Sequence, residues 1–385
     1  MQLSWIKITL PIAAIFAFRM LGLFMLIPVF SVYGQQLQFS TPILIGFALG
    51  SYGLSQGLMQ MPFGILSDYF GRKKILLIGL ILFAIGSLWG AYTQSIYGMI
   101  FARMIQGCGA IGSVLIALVA DLIEDQHRSK AMAIIGSSIG FSFAIAMMIS
   151  PMIAQHFGLS GIFKFTAILA LIGLFIMLVF IPSVSHQQKP IPFQWKNIKD
   201  SFFPHELKKC HFGIFGQHFI LTSSFFAIPL ILKEIQAPLS TFYLSLMLLA
   251  FVVMLPVIGI CEAKKKREPL FIVSVVVLTF GQLLMSFNPH HIHALWICLL
   301  IYFIAFNVLE ALFPTLIAKA AHPALKGTAT GIYSTMQFLG ICLGGIWAGF
   351  AYKYFGITSI FISNTLMCLL YILVFFRKPS TQVKV

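Results

Sequence analysis

The stretch from Leu44 to Tyr92, LIGFALGSYGLSQGLMQMPFGILSDYFGRKKILLIGLILFAIGSLWGAY, sets two long apolar runs on either side of a short polar turn. Its only charges, Asp68, Arg72, Lys73 and Lys74, all fall in or beside that turn. About 20 apolar residues in a helix cross a hydrocarbon core of about 30 Å, so each run is long enough to span a bilayer. The stretch therefore reads as a hairpin of two membrane helices whose connection carries the charge.

Working outward, the same pattern fills the chain. Of its 385 residues 59% are hydrophobic and only 9% charged, whereas a soluble domain carries roughly 25% charged residues. Hydropathy predicts helices near 8 to 33, 42 to 67, 74 to 94, 96 to 122, 129 to 156 and 161 to 182, and again near 210 to 236, 240 to 261, 269 to 288, 292 to 318, 325 to 350 and 354 to 376. The expected fold is an all-α membrane protein of twelve transmembrane helices in two six-helix bundles, residues 1–182 and 210–385, joined by a linker at 183–209. Trp195, Phe202 and Phe203 allow either an amphipathic helix on the membrane surface or a plain loop in that linker.

The net charge of +15 raises nucleic-acid binding, but the placement of the basic residues argues against it. Lys7, Arg72, Lys73, Lys74, Arg128, Lys130, Lys264 to Arg267, Lys319, Lys326, Arg377 and Lys378 fall at one face, with Lys189, Lys196, Lys199, Lys208 and Lys209 of the linker. Lys164, Lys233 and Lys353 fall at the other, so the positive-inside rule puts both termini in the cytoplasm. Arg19 interrupts the first span and no small-residue cleavage site follows, which makes it a retained helix and not a signal peptide. Cys108, Cys210, Cys261, Cys298, Cys342 and Cys368 show no CxxC spacing, so neither disulfides nor zinc are expected. His290, His291 and His293 lack acidic neighbours in the sequence and read as a solvated loop without a metal. No GxxxxGK[ST] loop occurs, which argues against direct ATP coupling; no cofactor is expected, and no enzyme activity.

Two pairs of segments about half the chain apart are alike. RSKAMAIIGSS at Arg128 to Ser138 matches LKGTATGIYST at Leu325 to Thr335, and PFGILSDYFGRKK from Pro62 matches PVIGICEAKKKR from Pro256. Such an internal repeat fits two parallel halves. Inside the spans, charge is sparse and therefore informative, since a charged side chain costs about 2.5 to 3.5 kcal/mol at a helix centre on insertion scales. Arg19 lies in the first span, Arg103 in the fourth and Glu310 in the tenth, with Asn307 one turn before it. A carboxyl that alternately meets apolar surroundings and a cation can load and release a proton, and Glu310 is the only acid well inside a span. The alternative is a permanent Arg19 to Glu310 ion pair joining the halves. Gln56, Gln60, Gln217, His218, Tyr333 and Gln337 recur at helical spacing and are the candidates for lining a central cavity or for interhelical hydrogen bonding.

The segment Gly64 to Lys74, GILSDYFGRKK, resembles the signature loop G-x-L-a-D-r-x-G-r-k of the major facilitator superfamily. Together with ARMIQGCGA at Ala102 to Ala110 and FIAFNVLEALFPTLIAKA at Phe303 to Ala320, it makes the chain similar to the YajR-type bacterial drug/proton antiporter-like group. The resemblance implies a proton-driven inner-membrane exporter working on small hydrophobic or amphipathic molecules by alternating access, with small-molecule substrate, protons and the bilayer as partners and a monomeric state; facilitated or proton-linked metabolite uptake is the alternative. It implies a conformational latch at Gly64, Asp68, Gly71, Arg72 and Asp121 that holds the halves shut on the cytoplasmic side, and a role for Arg103 that is either proton-linked or structural. Many relatives of this type carry a further cytoplasmic domain after the last helix, which is not expected here with nine residues following Phe376. In the fifth span the antiporter pattern asks for glycines ending in G-P-x-x-G-G, whereas this sequence has Ala146, Ser150 before Pro151, Ala154 and Gln155, which leaves other transport modes open.

Overall fold

A computed structural model of the chain describes residues 5–182, 195–263, 267–287, 289–322 and 325–376. Among the basic residues used to orient the chain, Lys189, Lys264 to Lys266, Arg377 and Lys378 lie outside the described residues. The first half comprises α1 (Trp5–Phe24), α2 (Phe30–Tyr33), a 3-10 turn (Gly34–Gln36), α3 (Pro42–Phe70), α4 (Arg72–Tyr92), α5 (Ile96–Cys108), α6 (Gly112–Leu122) and α7 (Asp125–Phe180). After α8 (Trp195–Phe202) come α9 (His205–Glu234), α10 (Leu239–Ala263), α11 (Arg267–Phe287), α12 (Ile292–Ala320), α13 (Lys326–Phe355) and α14 (Thr358–Phe376).

Among the described residues, eight helical stretches are long and apolar enough to cross a membrane, with α5 and α6 counted together as one. One of them, the 56-residue α7, turns back on itself at Gly158, whose φ of 62° is a left-handed conformation that glycine adopts without a Cβ clash. Shorter apolar stretches at Leu239–Met254 and Thr358–Leu373, and the 29-residue α3, diluted by Ser51, Ser55, Gln56 and Gln60, complete twelve crossings. Local chemistry marks their ends: Thr41 and Ser95 cap α3 and α5 by accepting from the Leu44 and Gly98 amides at 3.2 and 3.1 Å. Two spans expected to be continuous are broken. The first ends at Phe24 and resumes as α2, and the fourth is interrupted at residues 109–111 between α5 and α6.

Helices in lipid associate through close packing and interhelical hydrogen bonds, since lipid tails are as apolar as leucine. A serine ladder joins α7 to α1: Ser138 and Ser142 donate to the Ala13 and Ala17 carbonyls at 3.3 and 3.0 Å, and Ser150 donates to that of Met25. The two halves meet along α3 and α13. A Cβ on Gly46 would lie 2.3 Å from the Gly345 carbonyl oxygen, so the backbones are too close there for any side chain. This seam runs from Pro42 against Gly349 to Gly57, whose carbonyl accepts from Thr335 at 3.5 Å. Toward the face where α1 begins and α14 ends, here the terminal face, Gly327 and Gly331 of α13 border open space. The halves thus close at the opposite face and part at the terminal face.

Of the linker, residues 183–194 lie outside the described residues, and Trp195–Phe202 is the helix α8. Phe202 stacks on His211 of α9 at 5.6 Å, and the Ser201 carbonyl lies 3.0 Å from His211 Nε2.

Candidate functional site

In the first half, Arg19 is 2% exposed and donates to the Tyr52 hydroxyl at 3.2 Å and to Gln56 Oε1. Gln56 in turn donates to Gln60 Oε1 at 3.2 Å, so α3 answers the cation of α1 with a column of neutral side chains one turn apart. Its Nε and Nη1 are buried without a hydrogen-bond partner. Arg103 of α5 is also buried and stands 4.6 Å from the centre of the Tyr52 ring, over its face. It donates to Gln106 Oε1 at 2.9 Å, and Gln106 donates to Ser87 of α4 at 2.8 Å. Tyr52 thus contacts both arginines, one through its hydroxyl and one through its ring.

In the second half, Glu310 of α12 accepts from Gln217 Nε2 of α9 at 3.0 Å and from Gln337 Nε2 of α13 at 3.3 Å. His218 Nε2 lies 3.9 Å from the carboxylate and 2.8 Å from Gln337 Nε2. The Glu310 side chain is nevertheless 38% exposed, so it borders a cavity and is not sealed in the protein. Asn307 Nδ2 and the Tyr333 hydroxyl are buried nearby in sequence register, without partners. No ion pair joins Arg19 to Glu310 among the described residues. Each has its own partners, so the alternative of an Arg19 to Glu310 ion pair across the halves is not seen in this conformation.

One and two turns farther from the terminal face than Glu310, α12 presents Phe306 and Phe303. Phe143 of α7 faces them at 6.5 and 6.2 Å, backed by Phe24 at 5.0 Å and, on the α12 side, by Phe225 at 5.7 Å. This aromatic layer spans both halves and covers the carboxylate from the opposite face. Access to Glu310 is from the terminal face, where the α3–α13 seam has opened. A separate narrow fissure lies between α9, α11, α12 and α14, walled by apolar groups such as Phe313, Met367 and Leu278; it touches the site through Gln217.

The signature turn assembles as expected within the first half. Gly71, with φ of 93°, ends α3 and starts α4, donating its amide to the Ser67 carbonyl at 3.1 Å. Arg72 pairs with Asp68, reaches Asp121 of α6 at 3.1 Å and donates to Ser67 Oγ at 2.6 Å. The Gly64 carbonyl accepts from that same hydroxyl at 2.6 Å. All these groups belong to α3, α4 and α6, so in this conformation the cluster ties the first half to itself. The expectation that it holds the two halves shut is not met in this state, because the terminal end of the seam is open. Among the histidines of the loop before and at the start of α12, His290 lies 3.4 Å from Glu234, an acidic neighbour that the fold brings in and the local sequence lacks, and His291 caps α12 by accepting from the Ala294 amide at 3.3 Å. Cys108, Cys210, Cys298, Cys342 and Cys368 are free.

A family model described as "Major Facilitator Superfamily" matches residues 12–345. The chain belongs to the major facilitator superfamily. It is 37% identical over 375 residues to the Escherichia coli "Inner membrane transport protein YajR", covering 96% of this chain and 82% of that protein. To "Multidrug resistance protein 3" of Bacillus subtilis it is 23% identical, covering 74% of this chain and 68% of the other. A crystal structure of a D-xylose-proton symporter superposes with a TM-score of 0.80 at 18% identity, covering 99% of this chain and all of that one, which bears on the fold alone. This facilitator protein is therefore a multi-pass membrane transporter performing secondary transport of small molecules, and not an enzyme.

Sequence reasoning singled out the members of the two polar networks except Tyr52, Ser87 and Gln106, the last of which entered only as part of the motif around Arg103. A tyrosine in a helix of mixed apolar and small residues carries no signal of its own; only the register between α1, α3 and α5 places it against two arginines. The aromatic layer was equally hidden, since 39 phenylalanines are spread over the chain and spacing does not say which of them meet.

Proposed function

We propose that this facilitator protein expels small hydrophobic or amphipathic molecules in exchange for protons, by alternating access at a midplane cavity between residues 1–182 and 210–385, with 183–209 as the cytoplasmic linker. The observation that carries the reading is Glu310. It is a carboxylate in the bundle, held by the amides of Gln217 and Gln337, paired with no lysine or arginine among the described residues, with the His218 ring 3.9 Å away, and accessible from one face. Neutral donors stabilise the carboxylate without fixing it as a permanent ion, so the group is placed to take a proton from one side and release it after the cavity changes face. His218 at 3.9 Å and the unpartnered Tyr333 hydroxyl and Asn307 amide stand ready to rearrange with that change.

The excess of basic residues at the terminal face supports cytoplasmic termini in a bacterial inner membrane, and this state is then inward-open. Gly64, Asp68, Gly71, Arg72 and Asp121 fix the α3–α4 turn as a rigid unit, the part that meets the second half when the terminal face closes. Arg103 holds Tyr52 and Gln106 in place. The monomer is the transporting unit.

The test is substrate and proton flux in inverted membrane vesicles. Exporter activity appears as substrate accumulation inside those vesicles with release of protons from the lumen. Substrate leaving preloaded inverted vesicles down an imposed proton gradient identifies uptake and overturns the efflux reading.

A further inference from the structure

We propose that the cargo carries an anionic group, and that this group is received beside Gly112 by Arg19, Gln60 and the first turn of α6, so that the transported class is amphipathic organic acids. The inference rests on the reading that the cavity between the halves takes the substrate, and it is independent of the direction of transport.

The fourth span is interrupted at residues 109–111 and restarts at Gly112, well inside the bundle. A helix N-terminus presents unpaired amides and the positive end of the helix dipole. No side chain caps α6, which is 11 residues long. Arg19 is 2% exposed and has two guanidinium nitrogens, Nε and Nη1, with no acceptor. One of them, Nη1, lies 3.9 Å from the point where a Cβ on Gly112 would sit, and Gln60 Nε2 lies 3.5 Å from that same point. Three kinds of donor thus converge on one small space: a cation, a side-chain amide and a helix end. The first turn itself is half-buried, at Gly112 and Ser113.

The charge balance points the same way. Arg19 and Arg103 are both buried in the first half, each with neutral partners, and Glu310, the carboxylate at this depth among the described residues, is occupied by Gln217 and Gln337. A buried cation lacking a counter-charge is costly. An incoming carboxylate, sulfonate or phosphate supplies the missing acceptor, as anions do at helix N-termini inside discontinuous transmembrane helices. The aromatic layer of Phe143, Phe303 and Phe306 offers its apolar body a surface.

The experiment uses the full chain in lipid nanodiscs with four probes: 2-naphthoate, 2-naphthalenemethanol, 2-naphthylmethylamine and inorganic phosphate. Affinity is measured by titration and stability by thermal unfolding. Wild type should bind the naphthoate at least about tenfold more tightly than the alcohol or the amine, the worth of one hydrogen bond to a charged group. Arg19→Gln should lose about 10- to 100-fold in naphthoate affinity, while melting no lower than wild type without ligand. Gly112→Ala places its methyl at ordinary contact distance from Gln60 and Arg19, so it should fold normally and still lose naphthoate binding because the oxyanion space is filled.

Naphthoate bound no better than the alcohol, no naphthoate binding by wild type up to its solubility, or unchanged affinity in either variant overturns the proposal. Phosphate binding as tightly as naphthoate means that the site takes a small free anion, which overturns the amphipathic cargo. Arg19→Gln melting well below wild type marks Arg19 as a structural residue and equally refutes the site. Failure here with proton-linked efflux intact in inverted vesicles removes the substrate class and leaves the transport reading standing.

Discussion

Replacing Glu310 by glutamine separates a proton carrier from a structural ion. The carboxylate accepts two amide hydrogen bonds, from Gln217 at 3.0 Å and Gln337 at 3.3 Å. The two donors reach different carboxylate oxygens, so a glutamine keeps one acceptor and turns its NH2 toward the other donor, whose amide must flip to present its oxygen; with the lost charge assistance the difference is about 1 kcal/mol per bond. Against that loss stands the removal of a charge from low-dielectric surroundings, so the net change in stability should fall within about 1 kcal/mol of zero. Had Glu310 been the partner of Arg19, the same change would strand a buried cation at a cost of about 3 to 5 kcal/mol. The two residues share no hydrogen-bond partner, so a double-mutant cycle of Glu310→Gln with Arg19→Gln should give a coupling below about 0.5 kcal/mol. The assay is unfolding at fixed detergent and lipid, in parallel with transport in proteoliposomes. Glu310→Gln should abolish gradient-driven transport and preserve substrate-for-substrate exchange, and Arg19→Gln should not restore the former. A coupling above about 1.5 kcal/mol, of the size of contacting pairs, or full gradient-driven activity in the single variant, would refute the assignment.

Gly46→Ala sets a methyl 2.3 Å from the Gly345 carbonyl oxygen and should destabilise this conformation by about 1 to 3 kcal/mol, the range for overpacking; cysteine accessibility along α13 should then report the halves parting at the opposite face, and an unchanged labelling pattern would count against the seam. Asp68→Asn and Arg72→Gln should each slow transport while substrate affinity in detergent stays near wild type, because these side chains set a conformational balance and lie away from the cavity; wild-type flux in both would remove the turn from the cycle. Phe306→Ala removes a ring that meets Phe143 at 6.5 Å and His218 at 5.9 Å; it should cost about 3 to 5 kcal/mol and let protons cross without substrate, measured with a pH-sensitive dye in liposomes. Tight liposomes would show that the layer is packing and not a seal.

The sequence by itself determined the twelve crossings, the signature turn and the identity of the few buried charges. Each of these is a property of one segment: a helix must satisfy its own backbone in lipid, an apolar run is long enough or it is not, and a charge such as Arg19 or Glu310 within an apolar run stands out before its partners are known. Asp68 and Arg72 are four residues apart on adjoining helix ends, so their pairing is local as well. Which groups meet across helices was decided only by the tertiary structure. Arg19 faces Tyr52 and Gln56 and not Glu310 because α1 packs on α7 through a serine ladder, which fixes its rotation toward α3. In lipid one apolar helix face is as well solvated as another, so hydropathy does not fix rotation or register; close contacts such as Gly46 on Gly345 do. The break before Gly112, the aromatic layer over Glu310 and the open terminal face all follow from those contacts and leave no trace in the spacing of residues along the chain.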